Sequence, residues 1–429
     1  MVGAALYLWY RVTVRRAGVE PDGAAVYVGN HPNALIDPAL VFITSSRRLT
    51  FLAKAPLFKI PVLGQLLRGL GALPVYRKQD DPSEMAKNHA LFETADKALL
   101  QGGALMLFPE GRSHSEPSIG ELKSGAARMV LRACSQGASV SIVPVGLTYM
   151  QKSLFRSEVI IEVGVPISVR AEEFSPKDPN AVTALTLQIG QALKRITLNL
   201  ESWDDLPLLR IAEELYAWRL SDSPADQERL RAFARGLRIF RAEQPDRYRA
   251  IRERLLSFQG RLAVVNATPR DLSLQYRPMA VARFVVRNLT ILVLGLPLAI
   301  FGLGIFVIPY FVPQWVVSAL KVEEDVEATV KFLAGLVLAP IWAALLAALC
   351  AWKWGWPWGL ASLVLSLPIA LITRYFVEHH QEVIRDAQIF FQLGSRSRLK
   401  QQLMREGSKL SAEVEAIATE LRPRVLTGT

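Results

Sequence analysis

The stretch Gly-Asn-His-Pro-Asn-Ala-Leu-Ile-Asp-Pro, residues 29–38, sets His31 and Asp37 six positions apart. An imidazole titrates near neutrality, and a carboxylate beside it fixes which ring nitrogen carries the proton, so the pair suits general-base work. On an α-helix, six positions would leave the two side chains about 120° apart. Their contact therefore needs a turn between them, and Pro32-Asn33 supplies one. Pro32 also disfavours helical backbone at His31. Just upstream, residues 24–28 (Ala-Ala-Val-Tyr-Val) are apolar and partly β-branched, entered through Pro21, Asp22 and Gly23. That is the pattern of a buried strand. The pair is thus predicted at a strand end, with a new element, a helix, opening over residues 34–36.

A second group of residues suits an anion. Phe108-Pro109-Glu110-Gly111-Arg112-Ser113 follows a predicted strand at 104–108. Gly111 permits close backbone approach, and Arg112 offers a bidentate fork to phosphate oxygens. Gly71-Ala72-Leu73-Pro74-Val75-Tyr76-Arg77 places another arginine after an apolar run, and Val143-Pro144-Val145-Gly146 ends a further strand. Lys123 stands at a predicted helix start, where a phosphate can bind. Lys54, after another strand, reads equally as a lining cation or a solvated one. His89, His114, His379 and His380 have no supporting context and read as surface or junction residues. There is no Gly-x-Ser-x-Gly elbow, hence no sign of a covalent serine intermediate.

The elements that must hold these residues come in three parts. Residues 1–200 alternate short apolar runs (24–28, 50–53, 104–108, 140–145, 160–165) with helical patterns such as 84–100 and 123–135, which indicates an α/β layer fold with a mixed, partly parallel sheet. The apolar run 2–10 is too short to span a bilayer and lacks a basic leader before it, so an interfacial helix is expected rather than a cleaved signal. Residues 201–283 read as a basic helical connector. Its arginines 229, 231, 235, 238, 241, 247, 249, 252 and 254 form either a solvated face or a surface for anionic headgroups.

Hydrophobic residues make up 51% of the 429-residue chain, and its formal net charge is +11. That charge favours anionic partners. Nucleic acid is disfavoured, because the arginines lack interleaved aromatic platforms and no reader motif is present. The apolar load points to membrane. Within a membrane region at 284–375, residues 289–312 form an uncharged but Pro- and Gly-interrupted run, read as broken or re-entrant. Runs at 332–352 and 354–373 read as two spans of a hairpin, with Trp354, Trp356 and Trp358 at an interface. The flanks Arg283, Arg287, Arg374, Arg396, Arg398 and Lys400 are all basic, which by the positive-inside bias requires an even number of crossings. A basic helical cytoplasmic tail follows at 376–429. Cys134 and Cys350 form no disulfide framework and no paired metal-ligand spacing, consistent with a reducing, cytoplasm-facing setting.

Taken in order, the Asn-His-Pro, Gly-x-x-Pro-Val-x-Arg, Phe-Pro-Glu-Gly-Arg-Ser and Val-Pro-Val-Gly blocks resemble the four motif blocks of the glycerolipid acyltransferase superfamily. The resemblance covers about residues 20–170. The six-position His31–Asp37 spacing, one longer than the commonest form, is similar to that of fungal-type glycerol-3-phosphate acyltransferases. It implies an α/β acyltransferase domain on a membrane surface, followed by a helical segment and a C-terminal membrane-embedded helical region at the inner, cytoplasmic membrane. It also implies acyl-CoA or acyl-carrier protein as co-substrate, no metal or other cofactor, and a glycerol 3-phosphate, 1-acylglycerol 3-phosphate or lysophospholipid acceptor. By that likeness His31 is the base and Asp37 its orienting partner. Asn30, Arg77, Glu110, Gly111, Arg112, Ser113 and Lys123 then bind substrate, the arginines at the acceptor phosphate. A transacylase working without a thioester, a hydrolase and an inactive scaffold are the alternatives.

Overall fold

The computed structural model describes residues 2–61, 63–77, 81–170, 179–220, 227–274, 278–393 and 398–427. Arg396, one of the basic flank residues, lies outside them. The chain divides into two compact units, Met1–Asn199 with Leu320–Phe332, and Leu200–Ala319 with Leu333–Thr429.

The first unit is a mixed sheet with helices on it. Its elements run α1 (Val2–Trp9), β1 (Arg11–Arg16), β2 (Ala25–Gly29), α2 (Ile36–Thr44), β3 (Leu49–Lys54), α3 (Leu63–Gly69), β4 (Leu73–Val75), α4 (Asn88–Leu100) and β5 (Ala104–Leu107). They continue with α5 (Gly125–Ser135), β6 (Val140–Tyr149), β7 (Glu158–Val163), β8 (Ile167–Val169) and α6 (Pro179–Ile196). The strand order is β1-β7-β6-β2-β5-β3-β4, with β8 also paired to β6. Central strand β2 lies parallel to β5 on one side and β6 on the other, while β6 meets β7 and β8 antiparallel. All five residues of β2 are buried, as a central parallel strand requires.

One face of the sheet is covered by α4, α5 and α6. Val26, Val28, Leu105 and Leu107 meet Leu91, Ala95 and Leu99 of α4 and Leu185, Ile189 and Leu193 of α6. The four-residue spacing on each helix lines up one apolar stripe. Burying each such aliphatic side chain contributes about 1.5–3 kcal/mol. This layer fixes where β2 and β5 end, and therefore where the loops after them begin.

Helix α1 packs on the domain along one side: Leu6 and the following Tyr10 are fully buried, and Trp9 packs edge-on against Phe155 at 5.3 Å, while Tyr7 stays exposed. Strands β1, β4 and β8 had not been predicted from the sequence. In β1, Arg-Val-Thr-Val-Arg-Arg, the arginines look like a polar flank. The segment instead pairs in parallel with β7, from Arg11 opposite Glu158 to Arg16 opposite Val163.

The second unit is helical. Helices α7 (Asp205–Arg219), α8 (Gln227–Glu243) and α9 (Pro245–Val264) precede α10 (Pro278–Leu320), α11 (Glu324–Trp354), α12 (Trp356–Gln392) and α13 (Arg398–Thr427). The segment read as a cytoplasmic tail is in part a packing partner. Leu403, Leu410, Val414 and Leu421 of α13 recur at heptad-like spacing and share one core with Leu208, Leu215, Phe240 and Phe258. The arginine stretches are largely taken up in ion pairs rather than left for headgroups. Arg229 pairs with Glu213 at 2.9 Å, Arg247 with Glu420 and Arg254 with Glu413 at 2.8 Å, and Arg261 with Glu406. Three of those four carboxylates come from α13.

Helices α10, α11 and α12 are each long and apolar enough to cross a membrane. Residues 289–312, read from the sequence as a broken or re-entrant run, belong to α10, one hydrogen-bonded helix of 43 residues with Pro297, Pro309 and Pro313 inside it. A proline deprives the carbonyl four residues earlier of its donor. For Pro309 that carbonyl is Ile305 O, and the Trp342 indole N–H of α11 donates to it at 2.9 Å. A side chain has taken over the missing backbone bond.

Candidate active site

The site lies past the carboxyl ends of β2 and β5, adjacent central strands, where open α/β sheets hold their ligands. Gly29 closes β2. A Cβ there would stand 2.9 Å from Met106 Cε and 3.2 Å from Phe108 Cε1, so the glycine leaves room for both side chains at the strand end. Past it, the Asn30 amide donates to Leu147 O at 2.9 Å and accepts from Leu147 N at 2.7 Å. The side chain thus imitates one more rung of the β2–β6 ladder. Both ends of the Asn30 amide are bonded to β6.

His31 and Asp37 are brought together. His31 Nδ1 stands 2.8 Å from Asp37 Oδ2, with Asp37 fully buried and 17% of the His31 side chain exposed. The turn demanded by their spacing is present. Asn33 N donates to Asp37 Oδ2 at 2.7 Å, and Ala34 takes φ +32° before α2 begins at Ile36. Asp37 then sits in the first helical turn, where the helix dipole favours a carboxylate. A left-handed non-glycine residue costs roughly 1–2 kcal/mol. We expect Ala34→Gly to raise thermal stability by up to about 1 kcal/mol and Ala34→Val to lower it, measured by thermal unfolding in detergent.

The His31 ring stacks on Phe108 at 4.1 Å and 12°. Its backbone is pinned on both sides: His31 N donates to Glu110 Oε1 at 2.9 Å, and His31 O accepts from His114 N at 3.1 Å. Glu110 is buried and also takes Gly120 N at 2.7 Å and His114 Nε2 on Oε2. Both of its oxygens hold protein donors, and it staples the His31 loop. Burial pushes its carboxyl upward, but the bonds from His114 and Gly120, the His114 charge and the His31 N–H outweigh this. They hold it below the ordinary carboxylate value. His114, set aside in the sequence, is the missed member here. Its Nε2 faces Glu110, and its Nδ1 stands 3.2 Å from Glu116 N. The only sequence signal was its four-residue distance from Glu110.

The residues predicted to bind an anion lie on and around the neighbouring turn. Gly111 adopts φ +73°, its N–H donates to Phe108 O at 3.0 Å, and its carbonyl accepts Arg77 Nη1 at 2.5 Å. Lys123 N donates to Pro109 O at 2.7 Å, which brings the Lys123 stem beside Gly111. The Lys123 ammonium is largely exposed and 3.7 Å from the exposed Glu121. Arg112 is exposed and Ser113 partly so; among the described residues neither has a hydrogen bond or ion pair recorded. One cation the sequence did not single out, Lys152, is largely buried. It donates to Ser115 Oγ and, at 3.4 Å, to Pro32 O, next to the His31–Asp37 turn.

Residues 11–148 match the family described as Acyltransferase. Glycerol-3-phosphate O-acyltransferase 2 of Saccharomyces cerevisiae is 32% identical over 139 residues, covering 31% of this chain and 19% of that protein. An uncharacterized acyltransferase of Schizosaccharomyces pombe is 27% identical over 271 residues, 58% of this chain and 40% of that one. The chloroplast 1-acyl-sn-glycerol-3-phosphate acyltransferase of Arabidopsis thaliana is 25% identical over 145 residues, 33% of this chain and 37% of that one. The chain thus spans less than half the length of each of these relatives. Among solved structures, a 1-acyl-sn-glycerophosphate acyltransferase from Thermotoga maritima covers 44% of this chain and 76% of its own at 16% identity. Its TM-score of 0.33 carries no argument.

Proposed function

We propose that residues 11–148, which match the family described as Acyltransferase, form a glycerolipid acyltransferase domain, and that the protein moves a fatty acyl group from an acyl thioester to a glycerol phosphate hydroxyl. The acceptor is glycerol 3-phosphate or 1-acylglycerol 3-phosphate, and the donor acyl-CoA or acyl-carrier protein. The observation that carries this reading is the His31 Nδ1–Asp37 Oδ2 contact of 2.8 Å at a strand end, beside a turn bearing Arg112. With Nδ1–H directed at Asp37, His31 Nε2 is the basic nitrogen. It takes the hydroxyl proton as the oxygen adds to the thioester carbonyl, and Asp37 stabilises the imidazolium. Collapse of the tetrahedral adduct breaks the carbon–sulfur bond, and the proton passes from Nε2 to the leaving thiolate. Arg112, Lys123 and the Gly111 turn, braced by Arg77, receive the acceptor phosphate. Three apolar helices hold the chain in a membrane, and the catalytic unit works on its cytoplasmic side.

The test is thiol release from palmitoyl-CoA by the full chain in nanodiscs, with glycerol 3-phosphate, lysophosphatidate and lysophosphatidylcholine supplied separately, and palmitoyl-carrier protein as a second donor. Release is expected to require one of the two phosphate monoesters. Arg112→Ala should raise the KM for that acceptor about tenfold, the worth of a charge-assisted bond at an exposed site. Transfer to lysolipid without any thioester would replace this reading with transacylation. Silence with every donor and acceptor would reject enzymatic acyl transfer.

A further inference from the structure

Asp37 does not hold His31 alone. Its Oδ2 takes His31 Nδ1 and Asn33 N, while its Oδ1 takes the Tyr149 hydroxyl at 2.6 Å. Burial and the Asp37 charge keep the Tyr149 phenol well above its ordinary value, so it stays protonated and acts as a donor. Tyr149 ends β6, two residues after the Leu147 that binds Asn30. One strand therefore fixes both ends of the catalytic turn, Asn30 before His31 and Asp37 after it. Behind this lies a second support. Asn33 Nδ2 donates to Tyr10 Oη at 3.1 Å, Tyr10 Oη donates to Lys152 O at 2.5 Å, and the Tyr10 ring meets the Tyr149 ring edge-on at 5.6 Å.

We infer that Tyr149 is a positioning residue for the acyl transfer proposed above: its hydroxyl holds Asp37 Oδ1 and thereby keeps Oδ2 on His31 Nδ1. The inference rests on that functional reading for its effect on rate, though not for its effect on the imidazole. The terminal torsion of an aspartate is broad and roughly two-fold. With Oδ1 unheld, the carboxylate can turn and offer His31 either oxygen at a range of angles. With Tyr149 in place, any such rotation must break a charge-assisted bond. A well-placed base depends on that restriction, because small losses of alignment lower the rate without weakening substrate binding.

Tyr149→Phe removes only the hydroxyl and leaves the ring against Tyr10. In the full chain in nanodiscs, kcat is expected to fall about tenfold, with KM for thioester and acceptor changed less than about twofold. In an Asp37→Asn background the same change should alter kcat less than about twofold, because Tyr149 acts through the carboxylate already removed. The imidazole ¹⁵N spectrum of His31 in detergent tests the geometry without turnover. The wild type should give one tautomer, protonated at Nδ1, and Tyr149→Phe a mixture. An unchanged kcat with an unchanged spectrum would overturn the inference. So would a raised KM at constant kcat, or an undiminished effect in the Asp37→Asn background. If no donor is turned over yet the His31 tautomer still depends on Tyr149, the acyl-transfer reading fails and the positioning pair stands.

Discussion

His31→Ala is expected to lower kcat for thioester-dependent transfer by about a thousandfold while leaving the fold intact. A positioned general base contributes roughly 10²–10⁴ in rate. The His31 side chain is partly exposed, so its loss leaves no large buried void. Among the described residues, the interactions its side chain loses are the stack on Phe108 and the bond to Asp37. Steady-state rates in nanodiscs, beside a thermal unfolding curve for the same preparation, separate loss of chemistry from loss of structure. Asp37→Asn should fall in the same range, because an amide that turns its nitrogen toward His31 favours the wrong tautomer. A His31→Ala enzyme that keeps more than about a tenth of the wild-type rate would remove His31 from the chemistry.

Glu110→Ala should do something different, damaging stability and rate together. Removing it strands His31 N, Gly120 N and His114 Nε2, three donors gathered on one buried carboxylate. Leaving buried partners of a charge without it costs on the order of 3–5 kcal/mol. The loop holding His31 loses its staple at the same time, so surviving folded protein should turn over at least about a hundredfold more slowly. Denaturant unfolding and kcat on the folded fraction measure the two effects. The pH dependence follows from the direction of the Glu110 shift. Its carboxyl is held below its ordinary value in the folded state. Its stabilisation is therefore present above the unfolded carboxylate pKa and is lost as pH falls through the folded one. Acid should unfold the wild type in that window, and Glu110→Gln should flatten that part of the curve. A curve of unchanged shape would mean that Glu110 carries no such linkage.

The strands that hold the site were legible because central parallel strands are apolar throughout, as in β2 and β5. Three others were not. β1 hides its strand character in Arg11, Arg15 and Arg16, whose side chains face outward. β4 and β8 are each only three residues long, too short for a periodic signal. The site divides in the same way. His31 and Asp37 could be paired on residue type and proximity alone. Asn30 and Glu110 were picked out, yet their partners, Leu147 and the His31 and Gly120 backbone, are set by strand pairing and loop path. Tyr149 lies 112 residues from Asp37, and only the β2–β6 register brings them together. The fate of the arginine stretches was hidden likewise, since their carboxylate partners Glu406, Glu413 and Glu420 lie more than 140 residues further on.

The bond from Trp342 to Ile305 O bears on the order of biosynthesis. A helix entering hydrocarbon with an unsatisfied carbonyl is penalised by several kcal/mol until a donor arrives. The donor for α10 sits on α11, 37 residues later in the chain. Helix α10 therefore emerges from the ribosome incomplete and is finished only when the following segment has been made. Pairing with α11 should accordingly stabilise α10 beyond what its own apolar surface gives, and Trp342→Phe should weaken the association of the two helices.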